Sequence, residues 1–178
     1  MSASIELCGS DDRHVVENLH PLYLHEISEF EDLRPNAHGL LDGGNDVRTL
    51  ADQVRRLEAW WRNPETLFPY LVRVDGVPAG FNLVAAKAHL PAELDADFVV
   101  YGLFVLHVFR GTGAAEAAAV AGFEAHRGRW EVVTYPPHAR AIAFWRRVCR
   151  SYTGGDFAEA EVDHPWGRKV AFTFDNSR

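Results

Sequence analysis

The stretch Leu103-Phe104-Val105-Leu106-His107-Val108-Phe109-Arg110-Gly111-Thr112-Gly113-Ala114-Ala115 decides how this chain is read. The apolar run begins at Phe98 and gives way at Arg110 to a glycine loop. The loop opens into an alanine-rich segment that ends near Gly128. From Phe98 to His107 the run is nearly unbroken, the pattern of a central strand covered on both faces. Strand, glycine loop and helix together make a plausible anion cradle. Glycine lets the backbone turn tightly, and the first amides of a helix lack intrahelical partners and carry the positive end of its dipole. An ordinary strand-to-helix turn is the other reading of the same residues. Known glycine motifs fit badly. A dinucleotide GxGxxG would need glycine at Glu116, whose carboxylate would repel a pyrophosphate, and a Walker A loop would need a GK[ST] that is absent.

Upstream, Pro69 to Val74 and Pro78 to Ala86 flank Asp75-Gly76, a two-residue hairpin turn. Ser4 to Cys8 alternates as a short strand. Gly9-Ser10-Asp11-Asp12 supplies a turn and an N-cap for a helix from Arg13 to Phe30, with Val16, Leu19, Tyr23, Ile27 and Phe30 on its buried face. Residues 31–48, with Pro35, Gly39 and Gly43-Gly44, form a loop long enough to suspect function. Thr49 caps a second helix that runs to about Trp61 and stops at Asn63-Pro64. Downstream, Trp130 to Tyr135 is a strand and His138 to about Tyr152 a helix carrying Ala141, Phe144, Trp145 and Val148 on one side. Gly154-Gly155 ends it, and Phe157 to Val162 with Lys169 to Phe174 make a closing pair of strands. The order βααβββαβαββ, with no repeat, low-complexity segment or linker, predicts one α/β domain over residues 1–178 with a mixed sheet.

The chain is 178 residues long and 47% hydrophobic, enough to bury a core without a disulfide or metal staple. Cys8 and Cys149 lie far apart with no CxxC and no Cys/His cluster, which argues for a reducing compartment. The start lacks a basic segment followed by an apolar one, and Phe98 to Phe109 falls short of the roughly 20 residues of a membrane span. A cytoplasmic protein without a membrane partner is the expectation. Net charge is −7, and residues 1–66 hold the whole excess, 13 acidic against 6 basic. No basic run or basic-aromatic stripe exists, so a nucleic-acid partner is not expected. The acidic first third either attracts a cationic partner through its field or is a solvated face.

Arg110-x-x-Gly113-x-Ala115 resembles the Q/R-x-x-G-x-G/A motif of the GNAT superfamily of N-acyltransferases, and the preceding apolar strand with its aromatic before the arginine is similar too. His138-Ala139-Arg140-Ala141-Ile142-Ala143-Phe144-Trp145 resembles the second GNAT signature, Asn-x-x-Ala-x-x-Phe-Tyr. The element order matches over nearly the whole chain. Leu22-Tyr23-x-His25-x-x-Ser28-Glu29-Phe30, and Phe144-Trp145-Arg146-Arg147-Val148 with Tyr152-Thr153-Gly154-Gly155, resemble a bacterial subgroup of acetyltransferases.

The resemblance implies a mostly antiparallel sheet flanked by helices, with splayed central strands and the pantetheine arm of acetyl-CoA in the gap. Phe104 and Val105 would offer main-chain groups to that arm, the Val105 N–H serving as oxyanion donor. Arg110, Gly111, Thr112, Gly113, Ala114 and Ala115 would hold the pyrophosphate; plain helix propensity and close packing are the other reading of the alanines. His138 stands at the asparagine of the signature, where it could contact the cofactor, act on a proton or merely cap the helix. Trp145 stands at the tyrosine credited with protonating the thiolate. Its indole N–H is no acid at neutral pH, although it can line the cofactor site. Tyr135, His138 and Tyr152 are the substitutes, or the thiolate leaves unassisted with a thiol pKa of about 8.5.

Many relatives carry a glutamate on the central strand where this chain has Gly102. Tyr101 and His107 lie on the opposite alternation. In place of that base, His25, Glu26 and Glu29 on the first helix are the candidates, and with Tyr23 they are the candidates for binding the acceptor; His25 and Glu29 share a face as either a working pair or a surface i,i+4 pair. They lack the third ligand that a metal site needs, so no metal is expected. The first two helices and their loop usually wall the acceptor site, and Glu26, Glu29, Glu31, Asp32, Asp42 and Asp46 make that region acidic. A cationic primary amine follows, from a small molecule or a basic peptide, attacking directly in a ternary complex. Cys149, mid-helix among arginines, is no convincing nucleophile. An acyl-CoA-binding or small-ligand-binding protein of decayed chemistry is the alternative, favoured by Gly102 and Trp145. Relatives often form homodimers, and Trp60-Trp61 offer a surface for one unless an indole belongs to the core.

Overall fold

The computed structural model describes residues 2–41 and 43–177; Asp42, one of the acidic residues named above, lies outside them. Along the chain run β1 (Ala3–Leu7), α1 (Arg13–Ile27), α2 (Leu50–Val54), α3 (Glu58–Arg62), β2 (Leu67–Val74), β3 (Val77–Ala86), β4 (Phe98–Val105), α4 (Ala114–Ala125), β5 (Arg129–Thr134), α5 (Ala139–Thr153), β6 (Ala158–His164) and β7 (Gly167–Asp175). This is the expected order, with the second helix divided into α2 and α3 by a tight turn at Arg55–Leu57. Thr49 caps α2 in a reciprocal box: its hydroxyl accepts from the Asp52 N–H, and the Asp52 carboxylate accepts from the Thr49 N–H. Helix α1 stops at Ile27, short of Phe30. The Ser28 hydroxyl donates to the His25 carbonyl (2.6 Å), and the Glu29 amide bonds Glu26 instead, so the next helical turn is not built.

Seven strands form one sheet in the order β1-β2-β3-β4-β5-β7-β6, antiparallel except where β4 meets β5. Asp75 and Gly76 both take positive φ (49° and 79°), as the two-residue turn between β2 and β3 demands. One face of the sheet packs on α1 and the α2–α3 segment through Val16, Leu19, Leu57, Trp60, Phe81 and Phe104. The other packs on α4 and α5 through Phe123, Trp130, Val132, Val148 and Phe172. Trp60 is buried in the first layer and is core, while Trp61, half-buried, packs against that layer. Among the described residues no helix is long and apolar enough to cross a membrane.

The feature that positions a site lies at the centre. β4 and β5 pair only through Phe98/Trp130, Val99/Glu131 and Val100/Val132, although β4 continues to Val105 and β5 to Thr134. On the other side of β4, Leu83 pairs with Gly102 and Val84 with Val100, which leaves Tyr101 as the extra residue of a β-bulge. A bulge bends its strand and sharpens the twist, and here it coincides with the point where the two strands part. The bulge also resets the alternation. Val100 faces α4 and α5, yet Gly102 and Phe104 face α1, against the ring of Tyr23. Counting residues along an unbroken strand therefore misplaces Tyr101: it is 52% exposed, and its ring meets Trp60 and Trp166 on the α1 side.

Candidate active site

The open seam is furnished first by backbone. Leu106 donates its N–H to Ala79 O (2.8 Å), which fixes the phase of the β3–β4 ladder. Antiparallel pairing alternates, so Phe104 exchanges hydrogen bonds with Phe81, while Leu103 and Val105 turn their N–H and C=O groups toward the gap. Of the two residues expected to offer main-chain groups, Phe104 therefore has its own occupied by β3, and Leu103 takes its place beside Val105. Gly80 permits this close pairing. A Cβ there would overlap the Phe104 carbonyl oxygen and come within 2.9 Å of Val105 Cα.

At the end of β4 the chain turns through His107–Phe109 into the glycine loop. Gly111 and Gly113 take φ of 79° and 87°, conformations that L side chains resist. Thr112 ties the loop down by donating its hydroxyl to Phe109 O (2.7 Å). Gly113 is the N-cap of α4, and the first intrahelical bond is Ala117 N–H to Gly113 O (2.9 Å), which leaves the Ala115 and Glu116 amides without helix partners. Ala114, Ala118 and Ala119 are buried against the sheet, which is the close-packing reading of the alanines; Ala115 and Ala117 are only half-buried. Arg147 of α5 stands 3.6 Å from the Glu116 carboxylate and counters its charge at the helix start.

Between this loop, β4 and α5 lies a cleft of about 500 Å³, apolar along Leu103, Val105, Phe144 and Trp145 and bounded by Gly111, Gly113, Ala114 and Ala115. It continues past Phe104 and His138 into a wider cleft of about 740 Å³ under the end of α1, where His25 and Glu29 line the wall. Both are exposed, and no hydrogen bond or ion pair joins them among the described residues. Glu26 and Arg110, expected on opposite substrates, line both clefts and are paired with each other. The guanidinium Nη2 donates to both Glu26 oxygens (2.6 and 2.5 Å) while Nε donates to Val105 O (3.1 Å). The pair latches α1 to the end of β4.

His138 lines both clefts and caps α5. Its Nδ1 accepts the Ala141 N–H (2.9 Å), and its ring lies 3.8 Å from that of Phe30. With Nδ1 so occupied, the neutral ring carries its proton on Nε2 and can donate but not accept there. Burial lowers its pKa, which keeps it neutral. Trp145 is buried beside Phe144 with one side on the narrow cleft. Tyr152 is remote, packed on Phe123 and Phe174 with its hydroxyl bonded by Asn176. Burial pushes the Cys149 thiol up to about 12 and the Cys8 thiol up to about 11, so neither is a ready nucleophile.

Tyr23 fills the position above Gly102. A Cβ built on that glycine would lie 3.2 Å from the Tyr23 hydroxyl oxygen. Burial is the main cause that raises its pKa, with Tyr101, Glu31 and Glu26 adding to the effect. Tyr135 lies beyond the clefts and donates its hydroxyl to Glu31 (2.8 Å) under the Lys169 ammonium, 4.3 Å from its ring centre. Burial raises its pKa too, so it is a poor acid. Strand alternation in the sequence sets Tyr101 apart from Gly102, and nothing in it singles out Trp166, His164 or Lys169, which gather beside Tyr101.

No family model matches the chain, and no curated protein matches it. Solved structures do superpose. Histone acetyltransferase HPA2 and related acetyltransferase from Corynebacterium glutamicum matches with a TM-score of 0.70 at 13% identity, covering 100% of this chain and 98% of that one. This is the GNAT fold. An acetyltransferase from Thermus thermophilus gives a TM-score of 0.62 at 16% identity over 98% of this chain and 97% of its own. An aminoglycoside acetyltransferase solved with coenzyme A and kanamycin gives 0.64 at 19% identity, covering 98% and 95%.

Proposed function

We propose that this chain, acting as one domain, transfers an acetyl group from acetyl-CoA to a primary amine by direct attack with both substrates bound. The observation that carries the reading is the open β4–β5 seam, with the Val105 amide turned into it and the amides of Ala115 and Glu116 at its head. The residues suit the cofactor: an apolar gap for a pantetheine arm, two glycines in conformations that bare the backbone, and Arg140 and Arg147 on the cleft wall for phosphate charge. When bound, acetyl-CoA supplies an acyl group already activated as a thioester. The Val105 N–H is the donor for the acyl oxygen, a role worth a few kcal/mol when preorganised. His138 donates through Nε2, Tyr23 brings a hydroxyl to the place above Gly102, and Trp145 closes the apolar wall. The buried, raised thiols support direct attack over a cysteinyl route. Acetyltransferases of this fold solved with aminoglycosides support an amine acceptor that arrives as a cation.

The absence of a carboxylate from the Gly102 position favours a second reading, an acyl-CoA-binding protein without turnover. Thermal unfolding with saturating acetyl-CoA, against NAD and ATP, separates these from an unrelated ligand. At about 100 times Kd the ligand adds roughly 2.7 kcal/mol and raises Tm by roughly 5–10 °C. The selective shift is expected in the native chain and lost in Gly113→Glu. Thiol release with a panel of amines then decides between enzyme and binder.

A further inference from the structure

Two buried polar side chains converge on the backbone of one tryptophan on the α1 side of the sheet, beside Tyr101, the residue after which β4 and β5 no longer pair. Trp166 sits on the two-residue turn between β6 and β7, with Gly167 at φ 84° completing it. Its N–H donates to His164 Nδ1 (3.1 Å), and its carbonyl accepts from Lys169 Nζ (2.6 Å). His164 is 2% exposed and donates its Nε2–H to Glu131 (2.9 Å); Lys169 is 7% exposed. Burying an imidazole–carboxylate pair and an ammonium costs free energy, and a Pro-x-Gly turn closes without such help. What the arrangement fixes is the indole. It stands 5.7 Å from Tyr101 at 76°, two nearly perpendicular rings that make an open aromatic corner with Trp60 behind.

Glu131 is taken up by His164, which leaves Glu31 and Lys169 as the charges nearest the corner. Glu31, 43% exposed, takes the Tyr135 hydroxyl and lies 4.0 Å from Lys169 Nζ. A single ammonium can approach that carboxylate and the ring faces, whereas a polycation meets the lysine charge as well. We propose that the acceptor is a monoamine carried on a flat apolar group, and that the corner of Tyr101 and Trp166 grips this group. The proposal rests on the amine transfer proposed above and narrows its substrate class. Trp166 is the specificity-determining contact; His164 and Lys169 are positioning residues that act through it.

Thiol release is compared for 2-phenylethylamine, hexylamine and spermidine, alongside calorimetric binding of 2-phenylethylamine to the CoA-loaded protein. The expected result is a kcat/KM for 2-phenylethylamine at least tenfold above both others. In Trp166→Ala and Trp166→Leu this advantage collapses through KM, while the acetyl-CoA thermal shift certifies the fold. Lys169→Met erodes the preference and Lys169→Arg restores it. Equal or better turnover of hexylamine or spermidine overturns the proposal, as does a Trp166→Ala loss shared alike by all three amines. If no amine is acetylated, 2-phenylethylamine binding that Trp166→Ala abolishes keeps the corner and removes the transferase reading. Absence of binding removes the corner.

Discussion

The two sides of the open seam are built by opposite means. On the glycine-loop side, contacts are local: Gly111, Thr112 and Gly113 shape a turn of a few residues, and α4 follows at once. On the aromatic side, the corner assembles β4, β6 and β7, with the Glu131–His164 pair and Lys169 behind it. A local site depends on backbone conformation, so a glycine is its vulnerable point. A site assembled across the sheet depends on the strands staying in register, so any change that moves β4 reaches it.

That contrast is broken most forcefully at Gly80, whose backbone lies under the Phe104 carbonyl. Gly80→Ala must push β3 and β4 apart, and the expected cost is about 3 kcal/mol, roughly 6–12 °C in Tm. Urea unfolding measures the loss. Both the acetyl-CoA shift and amine turnover should weaken, because Val105 and Tyr101 ride on the same strand. Equal stability in this variant would mean the two strands are less tightly paired than the geometry requires.

A smaller effect sharpens the comparison at the latch between α1 and the glycine loop. The Arg110–Glu26 pair is mostly shielded, with side-chain exposures of 29% and 25%. A double-mutant cycle of Arg110→Ala and Glu26→Gln, read by urea unfolding, should return a coupling of about 1–2 kcal/mol. The amine preference should survive the cut, since the corner is carried by β4 and the β6–β7 turn and the pair by α1 and the glycine loop.

The smallest expected effect is in pH. Burial lowers the pKa of His138 at the start of α5 and of His126, which stacks on Phe68 and Phe98. The unfolded chain therefore takes up these protons first. Their stabilising contribution is complete above the ordinary value of 6.5 and is lost progressively as pH falls below it. Urea midpoints should decline from pH 7.5 to pH 5.5. His138→Asn, which keeps a capping acceptor, should flatten part of that decline.

How much was legible follows the same division. The hairpin at Asp75-Gly76, the Thr49 cap, the glycine loop and the element order were all readable, because each rests on residues close in sequence. The bulge at Tyr101 was not. Nothing in Val99-Val100-Tyr101-Gly102 marks which residue β3 leaves unpaired, and that choice decides which side chains share the α1 side of the sheet. The pairing of Arg110 with Glu26 was equally hidden: each residue fitted a separate role until α1 was laid across the end of β4. His138 shows both sources at once. Its capping function follows from its place before a helix, while its place on the cleft wall follows from packing.

By itself the sequence determined the parts: where the chain turns, which segments are strands and helices, and where amides are left bare at a helix start. Those are consequences of φ preference, side-chain periodicity and capping, which act over a few residues. Tertiary structure alone decided where the sheet opens, which backbone groups face the gap, and that Tyr101 should meet Trp166. Strand register sets all three, and register is fixed only when distant segments bury their apolar faces together.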